Sequence, residues 1–232
     1  MSRKFSRATA AAIATASLVA MPVAVMSVAN ADQPDGYGPS DPFDDALLGD
    51  DGPVEPMKDQ SRIERTQYGY RLTTGQQNNH LIIKLSDGRL RFRDTATEAW
   101  KPLPRACKAR AVATGIAAVC RVPVATSAAD PTLLEVHPRL GNDYIDGRTL
   151  PAVFEMAVLV DEGRDTVFTG SGNDFINAAQ DPDEVHGGAG NDWIRGGTGD
   201  DKMWGDAGND YMVGQDGVDS IDGGTGTNRI FQ

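Results

Sequence analysis

From Val160 onward one apolar residue recurs at every ninth position. Written in rows of nine, residues 160–231 read VDEGRDTVF, TGSGNDFIN, AAQDPDEVH, GGAGNDWIR, GGTGDDKMW, GDAGNDYMV, GQDGVDSID and GGTGTNRIF. Position eight is apolar in every row: Val167, Ile176, Val185, Ile194, Met203, Met212, Ile221 and Ile230. The first six positions predict a tight loop and the last three a short strand whose middle side chain points inward. One such residue per nine cannot form a core alone, but stacked turns can, because each position-eight side chain then lies on the one above. Upstream the signals are those of ordinary strands. Gln67–Thr73 is one candidate. Leu81–Leu85 and Arg89–Arg93, joined through Ser86-Asp87-Gly88, predict a hairpin.

The other columns carry chemistry. Position four is Gly in seven rows, with Asp181 the exception, and position six is Asp in seven rows, with Asn228 the exception. Glycine admits the backbone angles of a tight loop and lets carbonyl oxygens face a common centre. Asp165, Asp174, Asp183, Asp192, Asp201, Asp210 and Asp219 add a short carboxylate to each loop. Carbonyls with carboxylates make a hard oxygen site, which suits Ca²⁺ better than a transition metal. A flexible Gly/Asp linker would not hold register over eight rows. A metal-free stack would leave its carboxylates repelling one another.

These rows resemble the GGxGxDxUx nonapeptide of repeats-in-toxin proteins. The resemblance implies a parallel β-roll in which two rows make one turn and calcium sits between a loop and the next loop on the same side. It puts Asp165, Asp183, Asp201 and Asp219 on one side and Asp174, Asp192 and Asp210 on the other. Gly170, Gly172, Gly188, Gly190, Gly197, Gly199, Gly208 and Gly217 are the loop glycines it makes site residues. The loop pairs 169–174 with 187–192, 187–192 with 205–210, and 196–201 with 214–219 keep the motif best. About three to five Ca²⁺ ions are expected. An outlying row, 138–146, has Gly141, Asp143 and Ile145 in the right columns, but it starts 22 residues before Val160 and so breaks the period. The region 66–146 more loosely resembles the leader of small secreted actinobacterial calcium-binding proteins, through Asn78-Asn79-His80-Leu81, the two Cys and this row. That resemblance implies a β unit capping the first turn of the roll. The expected fold is therefore all-β, with a small β-rich capping region over 62–137 and repeats over 138–232.

Charge sharpens the division. The chain of 232 residues has a formal net charge of −11, and residues 160–232 alone hold 15 acidic and four basic residues and 16 of the 26 glycines. The acidic balance argues against nucleic acid and anionic membranes as partners. At the other end, Arg3, Lys4 and Arg7, an uncharged Ala-rich stretch and Ala29-Asn30-Ala31 read as a signal peptide over 1–31. The competing reading is an uncleaved anchor, though Pro22 interrupts the apolar stretch. Residues 32–61 are acidic, rich in Pro and Gly and aperiodic, and read as a disordered tail. With export, Cys107 and Cys120 are expected to form a disulfide, two free thiols being the alternative.

Catalytic patterns are absent from the sequence: no H-E-x-x-H, no G-x-S-x-G and no P-loop. His80, His137 and His186 stand apart from any nucleophile pattern. Trp193 and Trp204 read as packing on the roll's outer face, with sugar stacking the alternative. The expectation is a secreted, extracellular, non-enzymatic calcium-binding protein, soluble once processed. A surface adhesion or spacer protein, and an enzyme with an unrecognised unit in 62–159, are the alternatives. A surface or polysaccharide partner is left unspecified.

Overall fold

A computed structural model describes residues 60–232 except 76, 77, 124, 125 and 128. The expected signal peptide, and residues 32–59 of the expected tail, lie outside the described residues. Gln60 and Ser61 already belong to the first strand. Among the described residues there is no helix, so none long and apolar enough to cross a membrane.

The N-terminal part contains β1 (Gln60–Arg65), β2 (Gly69–Thr73), β3 (His80–Ser86), β4 (Arg89–Asp94), β5 (Ala99–Trp100), β6 (Cys107–Arg110) and β7 (Ile116–Arg121). The roll follows with β8 (Thr132–His137), β9 (Tyr144–Asp146), β10 (Phe154–Leu159), β11 (Thr166–Phe168), β12 (Phe175–Asn177) and β13 (Glu184–His186). It continues with β14 (Trp193–Thr198), β15 (Lys202–Trp204), β16 (Tyr211–Asp216), β17 (Ser220–Asp222) and β18 (Arg229–Phe231). Every strand from β11 on begins at position seven of its row, as the periodicity predicts.

The strands form two sheets, and from β8 onward successive strands alternate between them. One runs β18-β16-β14-β12-β10-β8-β2-β1-β5 and the other β17-β15-β13-β11-β9-β3-β4-β7-β6. Within the roll all neighbours are parallel, and from β10 onward each strand pairs residue i with i+18 of the strand after next, as in Val167↔Val185 and Ile176↔Ile194. The column of position-eight residues therefore stacks into one core. Val167, Ile176, Val185, Ile194, Met203 and Met212 are all fully buried there. Burying each such side chain contributes roughly 1.5–3 kcal/mol.

The broken period upstream has a simple geometric cause. Ala157↔Phe175 keeps the 18-residue offset, whereas Tyr144↔Thr166 is offset by 22. Residues 147–150 are thus a four-residue insertion, and 151–159 form one more row, with Val158 in the core column and Met156 where Asp would stand.

The two sheets also cross residue 137 without a break. β2 lies parallel to β8, and β3 parallel to β9, with Leu72↔Val136 and Leu81↔Ile145 extending the core column. On their outer sides β1 and β4 are antiparallel and end the parallel stack. The β3–β4 hairpin turns through Asp87 and Gly88, whose φ values of 53° and 64° are those of a two-residue hairpin turn. Cys107 and Cys120 are disulfide-bonded and pair across β6 and β7.

Candidate metal centre

The position-six residues form two columns, one along each edge of the roll. On the first edge, the backbone N–H of each residue donates to Oδ1 of the next Asp in the column. The bonds run from Asp143 to Asp165 (2.7 Å), Asp165 to Asp183 (2.7 Å), Asp183 to Asp201 (2.9 Å) and Asp201 to Asp219 (3.0 Å). On the second edge they run from Met156 to Asp174 (2.7 Å), Asp174 to Asp192 (2.8 Å), Asp192 to Asp210 (2.9 Å) and Asp210 to Asn228 (2.8 Å). One oxygen of each carboxylate is thereby fixed by the backbone. The other is not: Oδ2 of Asp143, Asp165, Asp183, Asp192, Asp201 and Asp210 is buried without a hydrogen-bond partner. Asp174 differs, its Oδ2 accepting from the Gly170 N–H at 3.0 Å.

The glycine columns hold the loops this close. A Cβ on Gly190 or Gly208 would overlap the carbonyl oxygen of Gly172 or Gly190, two rows earlier. A Cβ on Gly187 would lie 2.5 Å from Asp192 Oδ2, so the unpartnered oxygen faces the interior of its own loop. Backbone bonds such as Ala189 N–H to Gly170 O (3.0 Å) and Ala207 N–H to Gly188 O (2.8 Å) complete the stacking. Gly197, Gly199 and Gly217 serve the same packing on the edge of Asp201 and Asp219, and Gly217 too would overlap a carbonyl, that of Gly199.

Burial makes these carboxylates poor anions in the absence of a cation. It pushes Asp192 up to about 9, with Asp174 and Asp210 adding repulsion, and Asp183 to about 8. Asp143 rises to about 8, Asp165 to about 7 and Asp174 to about 6, each chiefly by burial. Asp201 and Asp210 are raised for the same reason. Their backbone hydrogen bonds pull the other way and are outweighed.

No group of three or more His, Cys, Asp or Glu side chains converges among the described residues. A cation held between loops would therefore draw much of its coordination from loop carbonyls. Unpartnered buried carboxylate oxygens at regular intervals, in loops of glycine and carbonyl oxygen, fit a hard divalent cation.

The model of the RTX calcium-binding nonapeptide repeat matches in four copies, at residues 159–185, 177–212, 186–221 and 195–230. These rows are RTX calcium-binding repeats. No curated protein and no solved structure matches the chain.

The fold carries the RTX geometry beyond the matched rows. Asp143, outside them, joins the first column, and Asn79 N–H and Nδ2 donate to its Oδ1 at 2.6 and 2.8 Å. Residues 78–82 thus stand in the register of a repeat, with Asn79 at position six. A position-five ladder was also missed from sequence. Asn142, Asn191 and Asn209 donate their N–H groups to Asn78, Asn173 and Asn191 side-chain oxygens at 2.9, 2.8 and 2.9 Å. The signal for it was the Asn-Asp pair repeated in rows 169, 187 and 205.

The outer aromatics stack along the roll. Phe168, His186 and Trp204 have ring centroids 4.7 and 4.4 Å apart and nearly parallel planes. Phe175, Trp193 and Tyr211 form edge-to-face contacts on the other sheet.

Proposed function

We propose that this is a secreted, non-enzymatic calcium-binding protein whose roll is completed by Ca²⁺ taken up between same-side loops. The observation that carries the reading is the set of buried, unpartnered Oδ2 atoms repeated along both edges. Asp165, Asp183, Asp201 and Asp219 would hold ions on one edge, and Asp174, Asp192 and Asp210 on the other, with carbonyls from the glycine loops. Bound calcium supplies positive charge that offsets the repulsion and desolvation of these carboxylates. The chain's own contribution is to fix Oδ1 through a backbone N–H of the preceding turn and, except at Asp174, whose Oδ2 also accepts from the Gly170 N–H, to leave Oδ2 for the ion. Because the loops exist only in the stacked state, calcium binding free energy becomes folding free energy. The sequence signals for export support a setting of millimolar calcium, where weak sites of this type fill. Equilibrium dialysis against calcium at neutral pH is the test: about three to five ions per chain are expected. One ion or none overturns the reading.

A further inference from the structure

The formal charge of the described part is strongly polarised. Residues 60–137 hold twelve Lys and Arg against six Asp and Glu, whereas residues 138–232 hold six against eighteen. The cations of the first part gather on one sheet face. In β4, Leu90 and Phe92 point into the core, which turns Arg89, Arg91 and Arg93 outward. In β7, Ala118 and Cys120 are fully buried, which turns Val119 and Arg121 outward. The register sets Arg89 opposite Arg121 and Lys108 opposite Val119. With Arg105 and Arg110 these residues line a hollow of about 340 Å³.

Five cations line that hollow and no carboxylate does. Among the described residues none of the five forms an ion pair; the nearby pair is Arg91 with Asp87, at 2.9 Å. Like charges directly opposite on a sheet destabilise it. Cationic side chains on an edge strand do discourage pairing with other chains. That accounts for Lys108 and Arg110 on β6, but not for Arg89 and Arg121, which lie on interior strands. The disulfide between Cys107 and Cys120 ties β6 to β7 directly beneath the hollow and holds Lys108 in place.

We propose that this hollow binds the phosphate groups of a flexible, non-aromatic phosphodiester polymer. Four of the five cations are Arg, whose planar fork matches phosphate oxygens in pairs. No aromatic ring lines the hollow to stack a nucleobase. The acidic repeats repel a long stiff duplex laid across the molecule. A flexible polymer brings successive phosphates onto the five cations and leads its chain away. The site does not depend on how many calcium ions the roll holds.

The test is fluorescence anisotropy of a labelled glycerol-phosphate oligomer with the calcium-loaded protein at several salt concentrations. Five phosphate contacts predict that log affinity falls against log salt with a slope of about −3.5. The variant R105Q/K108Q/R110Q is expected to lose at least tenfold in affinity and about 2 units of that slope, with its far-UV circular dichroism and calcium response unchanged. R62Q/K101Q, with charges removed from the other sheet, is expected to bind as the parent does. No binding, including exclusion by the chain's own acidic residues 32–59, overturns the proposal. Equal loss in both variants overturns it in favour of diffuse attraction. Tighter binding of duplex DNA, or equal binding of a polyuronate, overturns the assignment to a phosphodiester polymer.

Discussion

Asp192 Oδ1 accepts the backbone N–H of Asp174 at 2.8 Å, while Asp192 Oδ2 is buried with no partner. One carboxylate thus serves the stack with one oxygen and offers the other to a cation. The two duties are separable by mutation. Asn228 shows how: its Oδ1 accepts from the Asp210 N–H and its Nδ2 donates to Gly223 O at 2.6 Å. Asp192→Asn is expected to keep the stacking bond, stabilise the calcium-free roll at neutral pH and weaken calcium binding. Asp192→Ala leaves the Asp174 N–H unpaired and is expected to cost roughly 1–3 kcal/mol even with calcium. Thermal unfolding of both variants, with and without calcium, distinguishes the two effects.

The raised carboxyls give the calcium-free roll a definite pH dependence. Asp174 at about 6, Asp165 at about 7, Asp183 at about 8 and Asp192 at about 9 all lie above the usual range near 4. The folded chain therefore binds more protons than the unfolded one. This contribution to stability is whole below about pH 4 and is lost as pH rises through about 6–9. Denaturant titrations in chelator are expected to show stability falling over that interval. With calcium the slope reverses, because protons and calcium compete for the same oxygens. Equal stability in chelator at pH 5 and pH 8.5 would contradict this.

Gly190 lies at φ 128°, and a Cβ there meets the Gly172 carbonyl oxygen. Gly190→Ala therefore combines backbone strain with a backbone clash and is expected to cost on the order of 2 kcal/mol or more. Gly88→Ala is the comparison, since nothing lies within 4 Å of its Cβ direction and only its φ of 64° is strained. Midpoints of chemical unfolding should rank parent, Gly88→Ala, Gly190→Ala.

Replacing Cys107 and Cys120 by Ser opens a crosslink spanning a sequence separation of 13. A loss of about 3 kcal/mol is expected from chain entropy. It should fall on β6 and β7, which lie at the far end of their sheet from the repeats. Hydrogen exchange should show faster opening of residues 107–121, with the calcium requirement of 160–231 unchanged.

The repeats were legible in sequence because one glycine column, one Asp column and one apolar column held register from Val160 to Phe231. The strands there fall where the period puts them. The outlying row 138–146 was legible too, and what escaped were the stretches on either side of it. The sequence at 74–82 lacks the Asp and the position-four glycine, and of its described residues Asn78, Asn79 and Leu81 stand in register. The row 151–159 is displaced by the insertion 147–150 and carries Met156 at position six. Period finding depends on identical columns, whereas the fold needs only an apolar residue at position eight and an acceptor for the backbone. The basic hollow escaped for a different reason. Residues 1–159 sum to zero formal charge, and the cations of β4, β6 and β7 converge only when strands distant in sequence pair.

The central claim is that calcium completes the fold, and far-UV circular dichroism during a calcium titration at pH 7.5 tests it most directly, with magnesium as control. A cooperative gain of β signal at micromolar to millimolar calcium, reversed by chelator and absent with magnesium, is the predicted result. A chain already rich in β signal in chelator, with a flat titration, would contradict it.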